Sequence, residues 1–251
     1  MIKNYFKIAW RNLFRNKGFS ATNLLGLTIG ITCTILISLW VKDELTYNKF
    51  HTNYSSIYKI YANRDFNNQV FTDENMVLPL ASTIEKAIPQ IKHAVVTTHR
   101  QPHILAYGDK KIKKEGYTVG DHFFADVPGN STLQFDFVNA FNYDNDYLKR
   151  AMTNWTNSSW DVYVQVDQQA DLKQVEKSIN DIKYQHDESD KKISTYFAFP
   201  MNKWRLQSEF KDGKNTGGMI EYVRLFSIIA IIILLIACVN FMNLSTARSE
   251  K

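Results

Sequence analysis

Two runs without a charged side chain constrain this 251-residue chain more than any other feature: Phe19 to Val41 (FSATNLLGLTIGITCTILISLWV) and Leu225 to Leu244 (LFSIIAIIILLIACVNFMNL). At the helical rise of about 1.5 Å per residue the first reaches about 34 Å, enough to cross the hydrocarbon core of a bilayer, and the second does the same. We read both as membrane-spanning helices, over residues 18–41 and 223–245, with a soluble domain at 42–222 held between them. The first run is longer than the apolar part of a secretory signal peptide. It ends in Trp40-Val41-Lys42-Asp43, which offers no small-residue cleavage site, so it is read as retained. Neither run contains Asp, Glu, Lys, Arg or His, which argues against ion-coupled transport through these helices.

The formal charge of +5 would suit a nucleic-acid binder, but its location says otherwise. Met1 to Val41 carries five basic residues and no acidic one, whereas Lys42 to Tyr222 carries 22 basic and 24 acidic residues. The excess sits beside the apolar runs, so no nucleic-acid partner is expected. By the positive-inside rule the N-terminal segment is cytoplasmic, and two spans return the end, 246–251, to the same side. The domain between is then periplasmic, and the membrane the bacterial inner one. Cys33 and Cys238 both lie in the spans, so the domain has neither a disulfide nor a cysteine-ligated metal.

Residues 1–17 repeat apolar side chains at helical spacing, while Lys7, Arg11 and Arg15, with Lys3, form a separate basic stripe. The stripe reads either as a surface for a cytoplasmic partner or as a binder of membrane lipids that orients the first span. Within that span, Gly26 and Gly30 are spaced for close approach of a second helix.

In the domain, Ile57–Ala62 reads as a strand, Glu74–Ala87 as a helix stopped by Pro89, and Ala94–Thr98 as a strand. Trp160–Val166, Leu172–Ile182 and Ile193–Phe199 repeat that order, and a hairpin is expected around Asp109-Lys110-Lys111. The fold class is α+β, two β-α-β units between two transmembrane helices. Trp155, Trp160, Trp204, Phe197 and Phe199 are read as core aromatics.

Catalytic handles are missing. There is no GxxxxGK[ST], HExxH or GxSxG, and the glycines of Asp212 to Gly218 lack phosphate-loop spacing. His99 and His103 stand four apart, but Pro102 between them breaks any helix that would make them a metal pair. No cofactor, metal or catalytic residue is assigned, and ATP hydrolysis would have to come from another subunit.

The opening segment closely resembles the start of MacB-like, or FtsX-like, ABC transporter permeases. The likeness is carried by Ala9-Trp10-Arg11-Asn12-Leu13, Arg15-Asn16-Lys17, NLLGLTIG at Asn23–Gly30, and Asp43-Glu44-Leu45 before Tyr47 and Phe50. GDHFF at Gly120–Phe124, DVPGNSTLQFDF from Asp126, and ACVNFMNLSTAR at Ala237–Arg248 resemble the same family. In those permeases a long stretch separates the motif like GDHFF from the one like DVPGNSTLQFDF, where this chain has only Ala125, and two further spans follow. The chain thus resembles a member that is internally deleted and truncated after its second span.

The resemblance implies a permease subunit with porter-like β-α-β units in its periplasmic core domain. It implies pairing with an ABC ATPase subunit, a homodimer or a related permease beside it, and a periplasmic adaptor or substrate. ATP-driven closure of the partner would move the helices and transmit force to the periplasmic domain, for export or extraction of a substrate. The competing reading is a membrane-tethered periplasmic sensor or regulator of a cell-wall hydrolase. Against it, the six residues after Ser245 hold no signalling domain.

Overall fold

A computed structural model describes Arg11, residues 17–120 and residues 129–246. Most of the basic stripe, including Lys7 and Arg15, lies outside these residues. So do the junction at 121–128 where the missing stretch was expected and the last five residues. The chain divides into two units, one made of the residues up to Leu45 with those from Ile220 onward, the other of Thr46–Met219.

The first unit is a pair of long helices, α1 (Lys17–Thr46) and, last in the chain, α5 (Met219–Thr246). The stretches Ala21–Thr46 and Met219–Met242 are long and apolar enough to cross a membrane. Leu24, Leu25, Ile35, Leu36 and Leu39 on α1, and Ile228, Ile231, Leu235 and Ile236 on α5, point outward and stay exposed. A helix that is apolar on every side yet hardly buried has the surface of one solvated by lipid.

The second unit opens with β1 (Ile57–Phe66), which turns through Asn67-Asn68 into β2 (Gln69–Asp73). β3 (Met76–Val77), α2 (Leu80–Ala87) and β4 (Ile91–Thr97) follow. A hairpin of β5 (Gln101–Tyr107) and β6 (Lys110–Val119) comes next, then β7 (Phe137–Ala140) and a short α3 (Asp146–Ala151). β8 (Ser158–Val166), α4 (Leu172–His186) and β9 (Ser194–Pro200) complete the main sheet. A small hairpin of β10 (Glu209–Lys211) and β11 (Lys214–Gly217) ends the unit.

Four strands form the centre in the order β9-β1-β8-β4, with every neighbouring pair antiparallel. β1 and β4 are therefore parallel with β8 between them, and β8 and β9 are parallel with β1 between them. Each β-α-β unit leaves a gap that the other unit's strand fills, the ferredoxin-like interleaving of two split units. The two units expected from periodicity are present as one sheet rather than as a tandem pair.

One expectation needs correcting. The helix read from Glu74 begins at Leu80, because Met76 and Val77 pair with Trp160 and Ser158 of β8 as a strand. The apolar spacing of Met76 and Leu80 mimicked a helical stripe, but Pro79 marks the true N-terminal boundary. α4 starts where Asp171 accepts a hydrogen bond from the Lys173 amide, a side-chain N-cap.

Strand alternation sorts the sheet into two faces. Ile60, Ala62, Ala94, Val96, Val162, Val164, Tyr196 and Ala198 pack with Leu80, Ala81 and Ile84 of α2 and Val175 and Ile179 of α4. Each fully buried aliphatic side chain there contributes about 1.5–3 kcal/mol. On the opposite face Val95, Tyr163, Tyr117 and Val119 pack under Leu133, Phe135 and Trp204, while Phe210 of β10 stacks on Tyr61 and meets Phe197 and Phe199.

Candidate functional site

The helix-free face carries the domain's most unusual chemistry. Lys59 on β1 and Asp161 on β8 occupy the alternation positions that face the aromatic layer, and they are 8% and 3% exposed. Lys59 Nζ lies 2.6 Å from Glu74 Oε2 and 3.0 Å from Asp161 Oδ1. His99 closes the group, with Nδ1 3.2 Å from Asp161 Oδ1 and Nε2 2.9 Å from Asn75 Oδ1. Tyr61 donates its hydroxyl to Glu74, and the Lys59 ammonium sits 5.3 Å from the centre of the Tyr163 ring. Together with Arg100 and Trp204 these groups line a cavity of about 230 Å³.

The electrostatics follow from that geometry. Burial pushes the Lys59 ammonium pKa down, but the Asp161 and Glu74 carboxylates outweigh it and hold the pKa above its ordinary value. The hydrogen bond to Asp161 raises His99 against a smaller loss from burial. Burial pushes Tyr61 up to about 12 and raises Tyr163 too, so both stay neutral phenols. With His99 protonated, two carboxylates face two cations and the cluster is electrically balanced. Donor atoms of Glu74, His99 and Asp161 lie within 4.8 Å of one another, a metal-like spacing. Lys59 already fills the cation's place between the two carboxylates, so the group does not suit a metal. It is an ionic lock joining β1, β8, the segment before β3 and the turn after β4.

A second lock lies where α4 ends. Lys183 is buried 2.9 Å from Asp190 and 3.2 Å from Asp187, and Asp190 also accepts from Ser194 and the Tyr196 hydroxyl. Burial pushes Asp190 up, but hydrogen bonds from Ser194, Tyr196 and Lys183 bring its pKa below the usual carboxylate value.

Two joints stand at the ends of the domain. Asn48, just past α1, is buried with a positive φ of 64°. Its amide nitrogen donates to Met201 O and its side-chain oxygen accepts from Thr132 N and Oγ1, while its backbone N–H donates to Asn130 O. Before α5, Gly217 and Gly218 hold φ of 108° and 126°, a region that other residues rarely enter.

Of the residues singled out from sequence, Gly26 and Gly30 lie where α5 passes α1. A Cβ on Gly30 would come 2.8 Å from Ala237 Cβ, and one on Gly26 the same distance from Asn240 Nδ2. Thr34 donates its hydroxyl to Gly30 O, and Trp40 meets Phe226 edge to face. Arg11 is helical and exposed. His103 stands on β5 against Phe137 rather than with His99. The Asp212-Gly213 pair, which lacks phosphate-loop spacing, forms the tight turn of the β10–β11 hairpin, with φ of 50° and 73°. The ionic locks and Asn48 were not found from sequence.

An interleaved α+β domain strung between two membrane-length apolar helices defines a membrane protein with one large extramembrane module. Residues 20–134 match the model of the MacB-like periplasmic core domain, so this part of the chain is similar to a MacB/FtsX-like permease domain. Among solved structures it is similar to a domain provisionally described as part of a permease protein from Porphyromonas gingivalis. Identity there is 11%, over 59% of this chain and 91% of that one, with a TM-score of 0.47. Comparison with curated proteins returned no match.

Proposed function

We propose that this chain is the permease subunit of a MacB/FtsX-like ABC transporter, coupling ATP hydrolysis by a partner subunit to movement of its periplasmic domain. The observation that carries this reading is the match of residues 20–134 to the MacB-like periplasmic core domain, in a chain with membrane-length apolar helices at Ala21–Thr46 and Met219–Met242. Force along α1 enters the domain at Asn48, whose side chain grips Met201 and Thr132. Force along α5 enters through Gly217-Gly218. The two ionic locks make the sheet between these joints a stiff element, so displacement is passed on rather than absorbed.

In this reading Lys7, Arg11 and Arg15 face the cytoplasm of a bacterial inner membrane and contact the ATPase or anionic lipid. Gly26 and Gly30 form the helix seam, and a second permease copy or a related permease completes the membrane part. A periplasmic adaptor or substrate is handled outside.

The test is an affinity pull-down of the tagged chain in mild detergent, read by mass spectrometry. Recovery of an ABC ATPase, lost when Lys7, Arg11 and Arg15 are reversed in charge, is the expected outcome. Recovery of a cell-wall hydrolase and no ATPase after crosslinking would overturn it in favour of a regulatory tether.

A further inference from the structure

His99 walls the ionic cavity and also a second, larger one. The second is an open cleft of about 590 Å³, a volume in the range of small-molecule sites. It lies where β4 runs out, between the end of β6, the start of β8 and α3. Trp160 and Phe141, both buried, and the half-buried Leu148 give it an apolar floor continuous with the domain core. Gln101, Thr118, Asn145 and Tyr147 give it a polar rim.

The lining carries no Asp, Glu, Lys or Arg. His99 is the one group there that gains charge near neutral pH, and its two ring nitrogens are already turned to Asp161 and Asn75. A charged ligand would lose hydration in this cleft and meet no counter-ion, so the chemistry selects a neutral one. Trp160 asks for an oxygen. The residue is 3% exposed, yet its indole N–H has no acceptor among the described residues, whereas a buried indole N–H usually has one. The cleft it lines is where an acceptor from outside the protein can come.

The rim is prepared for hydroxyl groups. Asn145 accepts a hydrogen bond from the Tyr147 amide through Oδ1, which fixes the side chain and leaves its Nδ2 donors unused. The Gln101 amide and the Thr118 and Tyr147 hydroxyls also have no partner among the described residues. Groups of these kinds both donate and accept, as sugar hydroxyls do. The Tyr147 ring, centred 6.4 Å from that of Trp160, is 53% exposed and offers a stacking surface beside the floor.

We infer that this cleft binds a neutral carbohydrate, a mono- or disaccharide unit. A pyranose has an apolar C–H face and an edge of hydroxyls. Tyr147 takes the face, Gln101, Thr118 and Asn145 take the edge, and a sugar oxygen accepts the Trp160 N–H. The site belongs to the domain itself and does not rest on coupling to an ATPase.

The test presents the full chain, in nanodiscs free of glycoside detergent, to an array of neutral, acidic and amine-bearing oligosaccharides. Binding is expected on neutral members and should be the same at low and high salt, since no ion pair contributes. The best-bound member is then titrated in solution by calorimetry. Its affinity should fall about tenfold or more in Tyr147→Ala, which removes the stacking surface. It should also fall in Trp160→Phe, which keeps an aromatic ring in the floor and removes the N–H. Gln101→Ala, at an exposed position, reads the rim independently should Trp160→Phe fail to fold, and Tyr107→Ala, outside the cleft, should change nothing. Circular dichroism of Tyr147→Ala should match the parent. Absence of binding to every neutral member, binding confined to acidic or amine-bearing members, or equal affinity in Tyr147→Ala overturns the inference.

Discussion

At the scale of single residues, the helix-free face turns on Lys59. Removing one partner of a buried ion pair strands the other, which costs about 3–5 kcal/mol, whereas replacing both with apolar groups is often near neutral. Lys59→Met should therefore destabilise the chain strongly, and Lys59→Met/Asp161→Leu much less than the sum of the two single changes. Chemical unfolding in detergent, followed by the fluorescence of Trp204 and its neighbours, would read the cycle; additive effects would mean that the pair is not coupled. His99 gives the lock a pH sense. Its folded-state pKa is raised, so its contribution is complete below the ordinary imidazole value of about 6.5 and fades as pH rises through the higher native one. The unfolding midpoint should fall over that window, and His99→Gln should flatten the fall. Period-two reading of IYKIYA and WDVYVQV already sets Lys59 and Asp161 apart from Ile60, Ala62, Val162 and Val164. What it cannot show is that Leu133 and Trp204 cover this second face. Nor can it show that β1 and β8, a hundred residues apart, are neighbours.

At the scale of elements, the seam between α1 and α5 should tolerate its two glycines unequally. A Cβ at Gly26 meets the far end of a flexible Asn240 side chain, which can rotate away. At Gly30 it meets Ala237 Cβ, which is fixed to the helix backbone. Gly30→Val should separate the helices and Gly26→Ala should be mild. With Cys33 and Cys238 replaced by Ser, a Thr34→Cys/Ala230→Cys pair should oxidise readily in the parent background and poorly beside Gly30→Val; equal rates would show that the seam does not depend on Gly30. Length and charge made these helices legible in the sequence, since a charge-free run longer than 20 residues has few other uses. The small elements were not legible. α3 has six residues and β3 two, too short for a periodicity to register, and the strand at Met76 borrowed the spacing of the helix after it.

For the whole molecule, the ATP-coupled reading stands or falls on orientation, because an ATPase can meet Arg11 only if that residue is on the cytoplasmic side. Four positive charges precede α1 and Lys17 opens it, while a mixed Lys42, Asp43 and Glu44 follows its apolar run, the bias on which the positive-inside rule expects the N-terminal end to stay inside during insertion. Single cysteines at two exposed positions test it in a Cys33→Ser/Cys238→Ser background. Tyr107→Cys, at the hairpin tip, should react with a membrane-impermeant maleimide in cells with a permeabilised outer membrane. Arg11→Cys should react only once the inner membrane is opened. Replacing Lys3, Lys7, Arg11 and Arg15 with Glu should weaken or reverse this pattern, since it removes the basic residues on which the orientation rule acts. If the two cysteines instead label in the opposite order in the parent, the domain is cytoplasmic and the basic stripe faces a compartment without ATP. The motor would then have nothing to push against.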